Sequence, residues 1–267
     1  MCSKLAMGQY TFLLKAWNNF EINHFFHRKN ILEKMNTTKR ICLAFDIETS
    51  GPDISKYDVL GIGISVISND MAEVDSVLFK TYFPKDVKFE KKCWDEFWWD
   101  KDEILTKLEY KGLLTKDERL KEVIDEFQKI RSKWETHCRN FGIEYKIVSD
   151  NNVYDGMIIN QLISKYLPDT IGLPFNASDG KYAPFYETQS MIKGFLLGTD
   201  PKFGLKNDWG LDKKVKEAYK IPGPKKSYDH NPANDAYNIA FDFVVLMRIS
   251  EGDFKKLKCE KLDAMEK

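Results

Sequence analysis

Asp46 and Glu48 stand two residues apart in Cys42-Leu43-Ala44-Phe45-Asp46-Ile47-Glu48-Thr49-Ser50-Gly51. In an extended chain that spacing sends both carboxylates to one face. Side by side they repel, and a low local dielectric sharpens the repulsion. A proton or a hard cation between them relieves it, and Mg²⁺ or Mn²⁺ suits oxygen ligands. Further along, Asp155 ends Asn151-Asn152-Val153-Tyr154-Asp155, and Asp235 lies five residues after His230. Four carboxylates and an imidazole are the parts for two-metal hydrolysis of a phosphodiester. One ion makes a water nucleophilic and the other steadies the leaving oxygen. The imidazole accepts the water's proton near neutral pH. Each residue also has a plainer use. Asp-x-Glu can be a solvated strand end, the two later aspartates suit helix N-termini, and a loop histidine can bond to backbone. Asp150 competes with Asp155. What favours chemistry is five such residues together.

The elements that must position them follow from the pattern. Ile41, Leu43, Phe45 and Ile47 alternate with small or polar residues, which predicts a strand with one strongly apolar face, broken by Gly51-Pro52. Val59 to Ser68 and Glu73 to Phe83 read as two more strands, and Asn69-Asp70 between them makes an antiparallel meander. Thr115 with Glu118 three residues on is a capping-box pattern that opens a long helix through Leu120, Val123, Ile124, Phe127, Ile130, Arg131 and Trp134. Gly142 ends that region and Ile143 to Val148 is the fourth strand. An amphipathic helix through Met157, Ile158, Leu162, Ile163 and Tyr166 stops near Pro168, which places Asp155 in its first turn. After a loop over 168–186, Glu187 to Leu197 and Leu211 to Tyr219 read as short helices. Asn231 can cap the last helix and Pro232 suits its first position, with Ala236, Ala240, Phe243 and Met247 on the buried face.

These residues carry a family resemblance. Asp46-Ile47-Glu48-Thr49-Ser50-Gly51 resembles the first motif of the DEDD 3′→5′ exonucleases, and Asn151 to Asp155 resembles the second. His230-Asn231-Pro232-Ala233-Asn234-Asp235-Ala236 resembles the third, with the His-x-x-x-x-Asp spacing of the histidine subclass (DEDDh). The tyrosine subclass has Tyr-x-x-x-Asp, and that spacing selects Asn231. Glu187-Thr188, and Leu211-Asp212 with Tyr219-Lys220-Ile221, are weaker echoes. The match covers about residues 39–250. It implies an α/β, ribonuclease H-like fold with a mixed five-stranded sheet flanked by helices; the residue pattern gives four of these strands and leaves the fifth unplaced, with 181–187 the region open to it. It implies two divalent ions, Mg²⁺ or Mn²⁺, held by Asp46, Glu48, Asp155 and Asp235. Asp46 bridges both, Glu48 and Asp235 share the ion that holds the nucleophilic water, and Asp155 serves the second. His230 is then the general base, and main-chain groups beside Ile47 to Thr49 meet the terminal nucleotide. The implied activity is release of nucleoside 5′-monophosphates from a 3′ end, most simply a single-stranded one. DNA and RNA are both compatible, since the difference lies in contacts to the 2′-OH. The alternative is a catalytically silent nucleic-acid-binding module of the same fold, which has no reason to keep like charges together. Two departures stand out: Asp150 occupies a position where the family often has His, and an aromatic-rich insert around 84–114 separates the first two motifs.

Composition narrows the classes. Lys and Arg together number 41, as do Asp and Glu, so nucleic acid would be held by a local patch rather than a basic coat. Lys202, Lys206, Lys213, Lys214, Lys216, Lys220, Lys225 and Lys226 precede His230. They are either a backbone guide, with Lys225 and Lys226 as the substrate-binding pair, or a solvated face. Cys93-Trp94-Asp95-Glu96-Phe97-Trp98-Trp99 is expected to pack a capping insert onto the sheet, with stacking on unpaired bases the second use. The five cysteines, odd in number and with no Cys-x-x-Cys, read as reduced thiols of an intracellular, soluble protein of cytoplasm or nucleus. No apolar run is long enough to span a bilayer. Residues 1–38 read as an extension with helical potential at Tyr10 to Trp17 and a weak His24/His27 pair. Translation from Met35 would still give the whole domain of 39–250, and 251–267 reads as a charged tail. Oligomeric state is not readable.

Overall fold

A computed structural model describes residues 39–177, 180–199, 216, 219–221, 223–227 and 229–253. Several expectations lie outside the described residues. They are the extension 1–38, most of the helix at Leu211 to Tyr219, the lysines Lys202, Lys206, Lys213 and Lys214, and the tail from 254 on.

Three strands open the domain: β1 (Arg40–Thr49), β2 (Val59–Ser68) and β3 (Glu73–Lys80). They pair antiparallel as a meander, because Asn69-Asp70 turns the chain between two alternating runs. β3 ends three residues earlier than the pattern predicts. Tyr82 leaves β2 and bonds instead to the following insert, its amide donating to the Leu108 carbonyl at 3.2 Å and its carbonyl accepting from the Tyr110 amide at 2.9 Å. The insert comprises α1 (Lys91–Cys93), a wide π-helical turn (Trp94–Trp98) and α2 (Asp102–Leu108). Trp98 is fully buried against Leu60, Ile104, Leu105 and Leu108, so the insert packs on the sheet as expected; Trp99 keeps an exposed ring.

The long helix α3 (Lys116–Phe141) starts on the expected capping box and stops at Gly142, which adopts a left-handed φ of 65°. β4 (Glu144–Ser149) follows and pairs parallel to β1. A π-helical turn (Asn152–Gly156) then runs into α4 (Met157–Tyr166). β5 (Phe185–Glu187), the fifth strand, lies parallel to β4, and α5 (Thr188–Thr199) leaves it directly. The last helix, α6 (Pro232–Ser250), crosses the sheet. The strand order is β3-β2-β1-β4-β5, with β2 alone antiparallel to its neighbours. That mixed five-stranded α/β sheet flanked by helices is the ribonuclease H-like arrangement.

The two faces of β1 do different work. Phe45 meets Phe127 of α3 edge-on at 5.5 Å and stacks on Phe185 at 5.5 Å. On the other face Cys42 and Ala44 are small, and α6 packs there through Ala236, Ala240 and Phe243. Asp46 and Glu48 continue this second face. α6 is buried on nearly every side from Pro232 to Leu246, more than a single apolar stripe, while Met247 is only half-buried. The sheet lies beneath it, and Ile192 of α5 and Ile221 join the same core. Among the described residues, no helix is long and apolar enough to cross a membrane.

Candidate metal-dependent active site

β1 outruns its parallel neighbour. Its pairing with β4 ends at Phe45 opposite Ser149, so Asp46 to Thr49 project past the end of β4. A notch opens at the carboxyl ends of parallel strands, the usual place for a ligand in such sheets. On the other side β1 still pairs with β2, Asp46 opposite Gly63 and Glu48 opposite Gly61. Cross-strand partners share a face. The bare glycines therefore lie beside the two acids, and α6 begins on top of them. A Cβ on Gly63 would fall 2.0 Å from the Pro232 carbonyl carbon and 2.2 Å from the Ala233 nitrogen. One on Gly61 would fall 2.8 Å from Leu108 and 3.3 Å from the Pro232 ring. Removal of two side chains is what lets the first turn of α6 carry Asp235 down to β1.

The loop ahead of α6 is tightly tied. The Asn231 side chain accepts from the Ala233 amide at 3.1 Å, and Pro232 takes the first helical position. The Asp229 carboxylate accepts from the Asn231 amide at 3.3 Å and the Asn234 side-chain amide at 3.1 Å. His230 between them holds a left-handed φ of 58°, which costs a non-glycine residue about 1–2 kcal/mol. Strain of this kind persists only where the surroundings fix it. On the far side of the notch, the Asn151 side chain accepts from the Tyr154 amide at 3.1 Å and caps the π-helical turn. Asp155 is 4% exposed in that turn, and its carboxylate accepts from the Asn151 amide at 3.3 Å.

Glu48, His230 and Asp235 each offer a ligand atom, and these atoms lie within 4.8 Å of one another. His230 Nδ1 stands 3.7 Å from Glu48 Oε1, an ion-pair distance beyond hydrogen-bond range. Asp46 Oδ2 and Asp235 Oδ1 are buried and accept no hydrogen bond from the described residues. Burial pushes the Asp46 carboxyl well above its usual range, and the charges of Glu48, Asp155, Asp235 and Asp150 push it further. Burial likewise raises Asp155, with Asp150 and Glu48 adding to it and the Asn151 amide opposing. It raises Asp235 to about 7, helped by Glu48. Glu48 is raised by burial and drawn back by His230 and Lys101. His230 is raised chiefly by its contact with Glu48, against burial. The acids thus feel one another, Asp46 and Asp235 each keep an oxygen without a donor among the described residues, and the group is short of positive charge. Hard oxygen donors with orphaned buried lone pairs fit divalent cations of the Mg²⁺ or Mn²⁺ kind. Glu48, His230 and Asp235 are close enough to share one ion.

The remaining expected residues are placed as follows. Ile47 points to the opposite, apolar face and is 5% exposed. The Thr49 hydroxyl meets the Tyr154 hydroxyl at 2.5 Å and donates to the Gly51 carbonyl at 2.9 Å. The Thr49 carbonyl accepts from Trp98 Nε1 at 2.9 Å, so that main-chain acceptor is already engaged by the insert. Lys226 is tied to Glu73 at 2.7 Å and lies over the Tyr237 ring at 4.9 Å, whereas Lys225 is exposed. Lys216 reaches Asp242 at 3.3 Å. Asp150 is raised to about 6 by burial, with Glu187 and Asp242 adding charge nearby. Sequence reasoning missed Gly61, Gly63, Asp229 and Lys101, and it read Phe97 and Trp98 as part of the packing insert without joining them to the site. The Gly-x-Gly of β2, at the same period of two as Asp-x-Glu, was the available signal.

No protein-family model matches the chain, and no curated protein matches it. Solved structures with a similar arrangement include an exonuclease I from Methylocaldum szegediense. It has a TM-score of 0.49 at 12% identity, covering 80% of this chain and 41% of that one. A product-bound exonuclease I gives 0.49 at 13% identity, covering 80% and 45%. A zinc-bound complex of E. coli exonuclease I with single-stranded DNA gives 0.49 at 10% identity, covering 80% and 41%. The chain spans less than half the length of these proteins. At that level the likeness adds nothing to what the strand order and side chains of this chain carry themselves.

Proposed function

We propose that the chain is a metal-dependent 3′→5′ exonuclease. It hydrolyses phosphodiester bonds of DNA or RNA from a single-stranded 3′ end and releases nucleoside 5′-monophosphates. The observation that carries this reading is the grouping of Glu48, His230 and Asp235 within 4.8 Å, beside an Asp46 that feels the charges of Glu48, Asp155 and Asp235 and keeps a buried oxygen that no described donor satisfies. The spacing of the three motifs supports the same reading. A solvated strand end or ordinary helix-terminal acids would not bury unpaired oxygens together.

Asp46, Glu48, Asp155 and Asp235 would hold two divalent ions, with His230 beside Glu48. When bound, such ions supply an activated water and neutralise charge on the phosphate and leaving oxygen. His230 takes a proton from the attacking water. The new P–O bond forms as the bond to the 3′ oxygen breaks, and that oxygen leaves with a proton from solvent. Glu48 makes His230 a stronger base, and also keeps it protonated to higher pH in the metal-free protein. His230, with its left-handed backbone, presents Nδ1 to Glu48 at 3.7 Å and stays within 4.8 Å of a ligand atom of Asp235. Lys225, exposed on the loop before His230, is the available member of the expected phosphate-guiding pair.

The test is digestion of a 5′-labelled single-stranded oligonucleotide, as DNA and as RNA, with Mg²⁺ or Mn²⁺. Stepwise shortening from the 3′ end, with mononucleotides as product and loss of activity in Asp46→Asn, is expected. Full activity of Asp46→Asn, or products cut internally, refutes the proposal.

A further inference from the structure

The insert between the first two motifs reaches the site itself. Its π-helical turn places Phe97 edge-on to the His230 ring, centroids 4.5 Å apart. Lys101, three residues past that turn, lies over the same Phe97 ring with Nζ 5.3 Å from its centroid. Phe97 thus touches both an imidazole of the notch and a nearby ammonium. The backbone that carries Lys101 is fixed on both sides. Its amide donates to the Trp98 carbonyl at 3.0 Å and its carbonyl accepts from the Leu105 amide at 3.0 Å. Trp98 is in turn bonded to the Thr49 carbonyl, one residue beyond Glu48. The Lys101 side chain is 24% exposed, and its carboxylate neighbour is the adjacent Asp100 at 3.4 Å.

We propose that Lys101 is a substrate-binding residue of this site, a cation that the insert holds over Phe97 to contact a phosphate of the nucleic-acid strand. The inference rests on the exonuclease reading and adds to it a residue outside the three motifs. A polyanion entering a notch of acids meets repulsion before any favourable contact. A fixed ammonium at the rim offsets it, and packing on an aromatic ring limits the rotamer freedom that phosphate binding must otherwise remove. The Lys101 charge already acts on the centre, drawing both Glu48 and His230 downward in pKa. The aromatic insert then has a purpose beyond covering the sheet: Trp98 docks it, Phe97 lines it and Lys101 presents the charge.

The experiment is binding of a fluorescein-labelled single-stranded oligothymidylate to the full chain in EDTA, by anisotropy, across a salt series. Lys101→Met is expected to bind about tenfold more weakly at low salt, the scale of one charged hydrogen bond. Its slope of log affinity on log salt should be shallower by about 0.7, the release expected from one phosphate contact on a single strand. Lys101→Arg should match the wild type. A structural role alone would lower the melting temperature without changing the salt slope. Equal affinity and slope for Lys101→Met, or a wild-type chain that does not bind, overturns the proposal. Parallel digestion with Mg²⁺ keeps the two readings apart. No mononucleotide release beside an altered salt slope would refute the hydrolysis and leave the contact standing.

Discussion

Two side chains define opposite demands on the same notch. His230 must be a base and so must be neutral when water arrives, yet Glu48 at 3.7 Å favours its charged form. It also sits at a φ of 58°, which asparagine tolerates better than alanine. His230→Asn therefore removes the base without adding backbone strain. We expect its kcat to fall about 10²- to 10⁴-fold with a melting temperature little changed at alkaline pH, where the imidazole carries no charge; single-turnover rates beside thermal melts check this, and a loss under tenfold removes His230 from proton transfer. Asp46 makes the complementary case. Its carboxyl is buried, one oxygen has no donor, and neighbouring acids oppose its charge. Asp46→Asn should abolish metal-dependent hydrolysis and stabilise the metal-free protein by about 1 kcal/mol, seen as a melting temperature about 2–4 °C higher. A melting temperature lower than wild type in EDTA would show that the acid contributes to the fold rather than straining it.

At the scale of elements, the site depends on how closely α6 lies on β2. Gly63→Ala puts a methyl where the Pro232 and Ala233 backbone now runs, so either the helix lifts or the strand bows. Overpacking of this sort costs about 1–3 kcal/mol, and a displacement of about an ångström at Asp235 is enough to cost about 10²-fold in rate. Gly194→Ala, in α5 with open space around it, is the control and should stabilise by about 0.5–1 kcal/mol. Urea melts with activity measured alongside test the pair; an active Gly63→Ala enzyme would mean the close approach is incidental. The same contact explains what could be read from sequence. The meander was legible because alternation and the Asn69-Asp70 turn are local signals. The helix start at Asp235 was legible because Asn231 and Pro232 announce a cap, and the one at Asp155 because the amphipathic spacing of Met157, Ile158, Leu162 and Ile163 follows it. Close approach of residues 63 and 232, or of Trp98 to Thr49, joins segments far apart in sequence, and no periodicity encodes it. The early end of β3 has the same origin, since Tyr82 pairs with an insert whose own form could not be foreseen.

Over the whole chain acids and bases balance, so no net charge draws a polyanion in, and positive charge acts where it is held locally. The imbalance is concentrated at the notch, which makes folding there sensitive to pH. Carboxyls raised in the folded state bind more protons than they do unfolded. Stability then falls as pH rises from about 4, the unfolded value, through the folded values, of which Asp235 stands at about 7 and Asp150 at about 6. His230, also raised, has the same sign: its stabilising charge is present below its unfolded pKa and is lost as pH climbs through the folded one. The metal-free protein should accordingly be most stable on the acid side and melt at progressively lower temperature from pH 5 to 8. Divalent cations bind the ionised acids and stabilise the folded state by mass action. The gap between melting temperatures in Mg²⁺ and in EDTA should therefore widen with pH over the same window. Thermal melts at matched ionic strength measure both curves. A gap that is flat, or larger at pH 5 than at pH 8, would mean that the acids are not joined through a shared need for positive charge. The hydrolytic reading would lose its physical basis with them.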